Sequence, residues 1–219
     1  MVSKQILRLY TDRLSAGAFS TELAPTTRTI YVADGMAVIR GAGQAASIAA
    51  NGAWQGPAAI SITAGPAGAR LLRWELSMGE PQLLGGTALT SEMTLAGEPQ
   101  ITPGIAYLMR CDRVDFPPRG VAYTHTHQGS GIRCLQSGRI RIDTLGHDFW
   151  VEPQGAWFES GSDPVFAETW GDSPSHFIRV MILPRAIRGK SSIRYVHAED
   201  QDKPKAQKYQ VFVDEPIEL

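Results

Sequence analysis

Short runs of alternating apolar and polar residues recur along the chain, and turn-forming residues separate them. Alternation of this kind, bounded by Gly or Pro, is typical of β-strands with one buried face. Few segments show a helical period. The 22 glycines and 14 prolines are spread through the whole sequence. The pattern therefore predicts an all-β fold, either a sandwich or a barrel.

The strand pattern occurs twice, with an offset of 103 residues between the copies. Two strand-turn-strand segments resemble each other, and in both copies a Gly-Ala-Trp tripeptide begins 17 residues after the turn glycine. A later apolar segment also recurs, after about three extra residues in the second copy. The sequence therefore predicts two similar β-barrels in tandem. The matching pairs are 31–39 with 134–142, 52–54 with 155–157, and 69–76 with 175–182.

Four parts of the chain follow from this repeat. Residues 1–80 form the first copy, and residues 105–184 form the second. Between them, 81–104 is rich in Gly and Pro and is predicted to be a linker. Residues 185–219 form a polar tail with two short strand-like pieces, which we expect to pack on the second barrel or on a partner subunit.

Composition excludes several classes of protein. The chain has 219 residues, 43% hydrophobic and 20% charged, with a formal net charge of −1. This composition is ordinary for a globular protein and gives no electrostatic basis for binding nucleic acid or an anionic membrane. Its two cysteines, Cys111 and Cys134, do not form a disulfide framework and are expected to be buried thiols. Without a signal-peptide pattern or a long apolar run, the predicted location is cytoplasmic.

The chemistry concentrates in one strand-like stretch, Tyr123-Thr-His125-Thr-His127. In a strand, residues i and i+2 lie on the same face. Both imidazoles should therefore point to the same side, together with the Tyr123 ring. Two converging imidazoles are a natural start for a transition-metal site, although two ligands do not complete one.

This stretch resembles the first sequence motif of the cupins, in which a glycine precedes His-x-His, a glutamate follows and a glycine closes the hairpin. The glutamate is missing, because Gly131 stands at its place. The second motif is matched by its glycines and proline, but Phe158 replaces its histidine. The resemblance implies tandem jelly-roll barrels of the cupin type with two of the four usual metal ligands lost. The matching residues are Gly120, His125, His127, Gly138, Gly146, Pro153 and Gly155.

A third metal ligand could come from one of four residues. Glu159 is one position past the place of the motif histidine, so regular alternation in that register would turn it away and a one-residue bulge would turn it in. His176 begins the last long strand, Glu168 lies in mid-strand, and His147 lies in a turn. We favour Glu159, which with His125 and His127 would make a two-histidine, one-carboxylate set. Such a set accepts a divalent transition metal such as Fe, Mn, Ni or Zn.

Two neighbours of the histidines are candidates for substrate contacts. Strand alternation would bring Tyr123 and Arg133 to the same cavity. Tyr123 could act as a proton donor, and Arg133 could bind a substrate carboxylate through its forked guanidinium group. The structural alternative is a tyrosine at the barrel mouth and an arginine paired with Asp143 or Glu152.

The first copy lacks this chemistry. The 103-residue offset places Glu22, Ala24, Arg28 and Gln55 where the second copy has His125, His127, Gly131 and Phe158. No histidine occurs before His125, so no metal is expected in the first copy. Arg28 and Glu22 could form an internal ion pair, but exposure at the surface is the simpler expectation, because buried ion pairs stabilise little.

Two functions follow as hypotheses. The first is a metal-dependent cupin enzyme, of dioxygenase, isomerase or hydrolase type, acting on a small organic acid or aromatic molecule in the second barrel. The second is a non-catalytic cupin that binds a small ligand, with the histidine pair as a relic of a metal site. The resemblance also suggests a homodimer. The fold alone does not choose between these functions.

Overall fold

The structure, a computed structural model, describes residues 4–219. The regular elements of these residues are sixteen β-strands and two short 3-10 turns, Arg185–Ile187 and Ala198–Asp200. The all-β prediction is therefore confirmed. The chain divides into two compact units, Met1–Glu98 and Pro99–Leu219. No helix among the described residues is long and apolar enough to cross a membrane.

The first unit contains six strands that form one sheet in the order β3-β2-β5-β1-β6, with β4 also pairing with β2. β2 and β5 are long and irregular, and register shifts near Asp34 bend both of them. Part of the segment expected as a linker belongs to this sheet, because β6 pairs with β1. The strands are β1 (Ile6–Leu14), β2 (Thr27–Gly41), β3 (Gln44–Ala49), β4 (Gly52–Gly56), β5 (Ser61–Ser77) and β6 (Leu89–Gly97).

The second unit contains two five-stranded sheets, ordered β11-β10-β13-β8-β15 and β12-β9-β14-β7-β16. Apolar side chains from both sheets pack into one core, so the sheets lie face to face. Their strands are β7 (Tyr107–Phe116), β8 (Val121–His127), β9 (Gly131–Ser137), β10 (Ile140–Thr144), β11 (His147–Val151), β12 (Ala156–Glu159), β13 (Val165–Thr169), β14 (Ser175–Pro184), β15 (Ile193–Tyr195) and β16 (Lys208–Ile217).

The tail after residue 184 supplies an outer strand to each sheet of this unit. β15 pairs with β8, the strand that carries His125 and His127. β16 pairs with β7 along its whole length. The tail is thus part of the sandwich, and the second unit extends to Ile217 rather than ending at residue 184.

Strand pairings recur between the two units with the offsets found in the sequence. Ile30 pairs with Arg73 in the first unit, and Arg133 pairs with Arg179 in the second. Ile30 also pairs with Trp54, as Arg133 does with Trp157. The offset is 103 residues for one partner and 106 for the other. The repeat found in the sequence therefore corresponds to matching strand pairs in the two units.

The two matching turn glycines show why glycine is required there. Gly35 and Gly138 both have positive φ, 72° and 76°. An added Cβ would lie 2.1 Å from the Gly68 carbonyl oxygen in the first case and 2.0 Å from Ser175 Oγ in the second. Both the positive φ and the close approach of a neighbouring strand therefore exclude a larger residue at these positions.

The interior of the first unit contains a buried network of charges. Arg28 is fully buried and pairs with Glu75 at 2.9 Å, not with Glu22, which is exposed. Glu75 also pairs with Arg73, and Arg73 forms a forked contact with Asp12. The expectation of a surface position for Arg28 is wrong, because its guanidinium group finds a carboxylate and two backbone carbonyls inside the unit.

Candidate metal centre

The second unit encloses a small cavity between its two sheets, called here the inner cavity. Its polar wall is formed by His125 and His127 from β8, Arg133 from β9, Glu159 from β12 and Arg179 from β14. Apolar residues of the core close the other sides, among them Val165 and Phe177. The cavity volume is about 30 Å³, which corresponds to about two water molecules. Only a metal ion or a molecule of a few atoms fits in it.

The two histidines face each other inside this cavity. Their Nε2 atoms lie 3.2 Å apart, and their side chains are almost completely buried. The Nδ1 atom of each ring is held by a neighbour: His125 contacts the Tyr123 carbonyl oxygen at 2.7 Å, and His127 contacts Ser192 Oγ at 3.1 Å. Both rings are therefore fixed with Nε2 directed into the cavity.

The hydrogen bond of His125 also fixes its tautomer. A carbonyl oxygen only accepts, so Nδ1 of His125 carries the proton and donates it. The neutral ring then presents a lone pair at Nε2. Metal-binding histidines commonly have this arrangement, in which the second ring nitrogen donates to a backbone oxygen or another acceptor.

Burial keeps both imidazoles neutral near pH 7. Loss of hydration lowers the pKa of His125, although Glu159 opposes that effect. It lowers the pKa of His127 well below its ordinary value, and the Arg133 and Arg179 charges act in the same direction. A neutral imidazole is the form that binds a metal, so the environment favours that form.

Glu159 points into the same cavity without a bulge. β12 pairs with β9 in a regular register, with Glu159 opposite Gly131 and Trp157 opposite Arg133. Trp157 and Glu159 line the inner cavity, and Phe158 between them does not. The sequence-based register was one residue off: the position assigned to the motif histidine faces away, and its neighbour faces inward.

The two carboxylate oxygens of Glu159 have different environments. Oε1 accepts a hydrogen bond from Trp157 Nε1 at 2.8 Å. Oε2 lies 2.6 Å from Arg133 Nη2 and 3.5 Å from His127 Nε2. Although the Arg133 contact is a close ion pair, its geometry is not that of a hydrogen bond, and both atoms are buried without a hydrogen-bond partner. A buried oxygen in this state is suited to accept a further ligand.

Arg133 is paired within the cavity, but not with either residue considered from sequence. Its Nη1 donates to the Gly131 carbonyl oxygen at 2.7 Å, and its charge faces Glu159. Glu152 pairs instead with Arg139. Burial lowers the pKa of Arg133 to about 10, so the group remains a cation at neutral pH.

Arg179 and Ser192 complete the site and were not identified from sequence. Arg179 makes a forked contact with Asp112 at 2.6 and 3.0 Å, which leaves its charge neutralised at the cavity wall. The sequence signal for Arg179 was a lone charge within the apolar run 177–183. Ser192 reaches His127 from the tail, 65 residues further along the chain, and no local pattern marks it.

The structure does not bring Tyr123 to the inner cavity. Ala122 pairs with Ala167 and His125 with Val165, so β8 has one more residue than β13 in this interval. This bulge breaks the alternation between Tyr123 and His125. The Tyr123 ring lies under the Lys203 ammonium group, 4.7 Å from its centroid. The expected proton-donor role therefore loses its geometric basis, and only the backbone carbonyl of Tyr123 contributes to the site.

The other candidate ligands lie elsewhere. His176 Nδ1 contacts Ser137 Oγ at 2.6 Å, and Glu168 pairs with Arg141. His147 is exposed in β11. None of the three lines the inner cavity. Of the four candidates, Glu159 alone lies beside the histidine pair.

Gly131 explains why the usual glutamate of the motif is missing. A Cβ at this position would lie 2.4 Å from the Val180 carbonyl oxygen and 2.8 Å from Met181 Cγ. Any side chain there would displace β14, so no glutamate can occupy the position in this backbone. Glu159 offers its carboxylate from the facing residue of the neighbouring strand.

The chemical type of these donors and their single negative charge are suited to a divalent transition metal. Two neutral imidazole nitrogens and one carboxylate oxygen are ligands that such ions prefer. The described residues 4–219 contain no cluster of three or more His, Cys, Asp or Glu side chains arranged closely enough to hold a metal as they stand. The shortfall is at Glu159, whose carboxylate is directed to Arg133. Its Oε2 nevertheless lies 3.5 Å from His127 Nε2.

Comparison with known proteins shows the fold. No family model and no curated protein matches the sequence. Among solved structures, the chain is similar to a point mutant of Bacillus subtilis oxalate decarboxylase, with a TM-score of 0.69 and 13% identity over 93% of this chain and 74% of that chain. A structure of the same enzyme from work on its Mn(II) centres gives a TM-score of 0.67, also at 13% identity, with the same coverage. These similarities support a cupin-type fold.

Proposed function

We propose that the second unit is a metal-dependent cupin enzyme that acts on a small organic acid. The metal is a divalent transition ion, such as Fe, Mn, Ni or Zn, held by His125, His127 and Glu159. The observation that carries this proposal is the pair of Nε2 atoms 3.2 Å apart, with both rings held through Nδ1 and a Glu159 carboxylate oxygen 3.5 Å from His127 Nε2. The solved oxalate decarboxylase, with Mn(II) centres, supports the same class of chemistry.

The residues around the histidines have separate roles in this proposal. A bound divalent ion would polarise a substrate oxygen or activate water, as a dioxygenase, isomerase or hydrolase requires. Arg133, which faces Glu159 here, would bind the substrate carboxylate once Glu159 binds the metal. Ser192 and the Tyr123 carbonyl hold the imidazoles in place. The core residues around them exclude water.

The inner cavity favours a small acid over an aromatic substrate. A space of about 30 Å³ admits only a few non-hydrogen atoms. The two arginines at its wall are matched by Asp112 and Glu159. Added positive charge from a metal would therefore be balanced best by an anionic substrate.

A second candidate function is the binding of a small anion without a metal. The 2.6 Å contact between Arg133 and Glu159 favours it, because this ion pair already satisfies the carboxylate's charge. In this case the histidine pair would serve only as hydrogen-bonding groups. The first candidate explains the fixed tautomer of His125 better, since that tautomer presents the Nε2 lone pair to the cavity beside the second histidine.

Elemental analysis of protein purified without added metal tests the choice. The enzyme proposal predicts a stoichiometric amount of one transition metal that survives gel filtration. A Glu159→Gln variant should lose most of it, because a neutral amide is a weaker ligand than a carboxylate. Metal at background level in the wild-type protein, even after incubation with each ion, would favour the anion-binding alternative.

A further inference from the structure

A second pocket of the same unit borders the inner cavity. It is called here the outer pocket and has a volume of about 370 Å³, in the range of small-molecule sites. Three side chains, Arg179, Ile193 and Tyr209, line both spaces. The two spaces are therefore separated by a wall one side chain thick.

The charges of the outer pocket leave one cation uncompensated. Arg110 makes a forked contact with Asp214, and Arg179 makes one with Asp112. Arg110 also donates to the backbone carbonyls of Lys190 and Ile187. The Lys190 ammonium group has no acceptor among residues 4–219 and is exposed. An anion bound here would meet the free charge of Lys190, because the charges of Arg110 and Arg179 are already neutralised by Asp214 and Asp112.

The opposite side of the outer pocket is apolar. Tyr209 and Val211 are 46% and 54% exposed. Both belong to β16, the outer strand contributed by the tail. The Tyr209 ring also contacts the Arg179 guanidinium group, 5.6 Å from its centroid, which holds the ring at the shared wall. A flat apolar body would cover these two side chains.

We propose that the outer pocket is a second ligand site, which binds a small organic carboxylate with an apolar body through Lys190, Tyr209 and Val211. Only a functional link to the inner cavity, which this pocket borders, would rest on the proposed function. The binding itself does not, because none of the residues proposed to bind the metal lines this pocket. Ser192, which contacts His127, lines it as well.

Titration of isotope-labelled protein with benzoate, followed by NMR, tests the site. Saturable shifts are expected in the backbone amides of 190–193 and 209–211. Lys190→Gln should weaken benzoate binding about threefold to fivefold, as expected for one exposed ion pair. The matched control Lys208→Gln, an exposed lysine on β16 outside the pocket, should leave it unchanged. Neutral benzamide should bind wild type and Lys190→Gln equally.

Further arms separate this inference from the metal proposal. His125→Ala removes a proposed metal ligand and should leave benzoate binding in the outer pocket unchanged. Persistence of binding in this variant therefore supports the outer pocket whether or not the protein holds metal. Equal benzoate affinity in Lys190→Gln, shifts confined to other regions, or no saturable shift would each overturn the inference.

Discussion

The two units place charged residues at related positions of similar strands, but they use them differently. In the first unit, Asp12 and Glu75 face Arg28 and Arg73 in a buried network, two carboxylates against two cations. In the second, Asp112 pairs with Arg179, while Arg133 and Glu159 meet without a hydrogen bond beside two neutral histidines. The first network is complete, and the second leaves unpartnered atoms at a cavity.

The difference comes down to a few substitutions within the same pairing scheme. By the 103-residue offset, Arg28 stands where the second unit has Gly131, and Ala24 where it has His127. Arg28 donates to the Ala24 carbonyl oxygen and to Glu75, so a large cation occupies the interior. The second unit has a glycine at the matching place, so no cation from that position occupies its interior. An interior whose charges are all paired has no group left for a ligand, whereas one with unsatisfied groups is suited to bind a ligand.

The largest effect is expected on metal content. His125→Ala should reduce metal per chain to background, and Glu159→Ala should do nearly the same. His176→Ala, which alters a histidine outside the inner cavity, should retain the wild-type amount. The measurement is metal per chain at a pH near 7.5, with a melting curve for each variant. Metal kept in Glu159→Ala but lost in His125→Ala would indicate a two-histidine site completed by water. Loss in His176→Ala would transfer the ligand role to His176.

Removing the central carboxylate of the first unit should cost more stability than any other single change considered. Glu75→Gln leaves Arg28 and Arg73 short of a negative charge in a buried site, at a cost of about 3–5 kcal/mol. Glu22→Gln, at an exposed position, should change stability by less than about 0.5 kcal/mol. Urea unfolding followed by tryptophan fluorescence measures both. Equal midpoints would show that the network is not needed, and the contrast with the second unit would disappear.

Ser192→Ala tests whether the tail tunes the histidine pair. Loss of the contact to His127 Nδ1 should weaken metal affinity about 10- to 100-fold, as for other indirect partners of metal ligands. Competition with a chelator measures this, and Ser191→Ala is the neighbouring control. Because the substitution removes only the hydroxyl and keeps the backbone hydrogen bond from Gln128, the melting temperature of the metal-free protein should hardly move. An unchanged affinity would limit Ser192 to packing.

Gly131→Ala should destabilise the second unit by about 1–3 kcal/mol, because its Cβ would overlap the β14 backbone. Gly79→Ala is the matched control, since no atom lies within 4 Å of the added Cβ. Urea unfolding compares the two variants. A fully stable Gly131→Ala would mean that β14 can move, and the usual cupin glutamate could then be restored at this position.

The smallest effect concerns pH. Burial lowers the pKa of His125 and His127 below the unfolded value of about 6.5. As pH falls through that value, the unfolded chain takes up protons that the folded unit does not, so stability decreases. In metal-free protein, hydrogen-exchange protection should therefore fall in the second unit between neutral and mildly acidic pH. The first unit contains no histidine and should keep its protection. A parallel loss in both units would contradict this.

Much of the fold could be predicted, because its determinants are local. Alternation of apolar residues marks strands, and Gly35 and Gly138 mark places where the backbone requires glycine. The 103-residue offset of the repeat corresponds to matching strand pairs in the two units. For 87–95 the sequence left a short strand and a turn of helix open, because the Gly and Pro residues around it resemble a linker, and the structure forms a strand at 89–97.

The site was predictable only where strand periodicity held. His125 and His127 share a face as expected, and both reach the inner cavity. Tyr123 does not reach it, because β8 bulges where it pairs with β13. This bulge depends on the pairing of the two strands and has no signature in the sequence of either one. Glu159 was expected to reach the cavity through a bulge, but it does so in a regular register. The register of β12 on β9 depends on tertiary pairing, which the local sequence does not show. Ser192 is brought in by the tail, and such distant partners have no local signature.

The position of β7 has a consequence for how the chain is made. This strand lies between β14 and β16, and both of its neighbours are synthesised more than half a unit later. On the ribosome, residues 107–116 therefore have no strand partner until β14 has emerged, and their second partner follows only with the end of the tail. Long-range antiparallel pairing of this kind is slow to form. The second unit should finish folding after release, and during that interval its apolar β7 is the segment most exposed to chaperones and to other nascent chains.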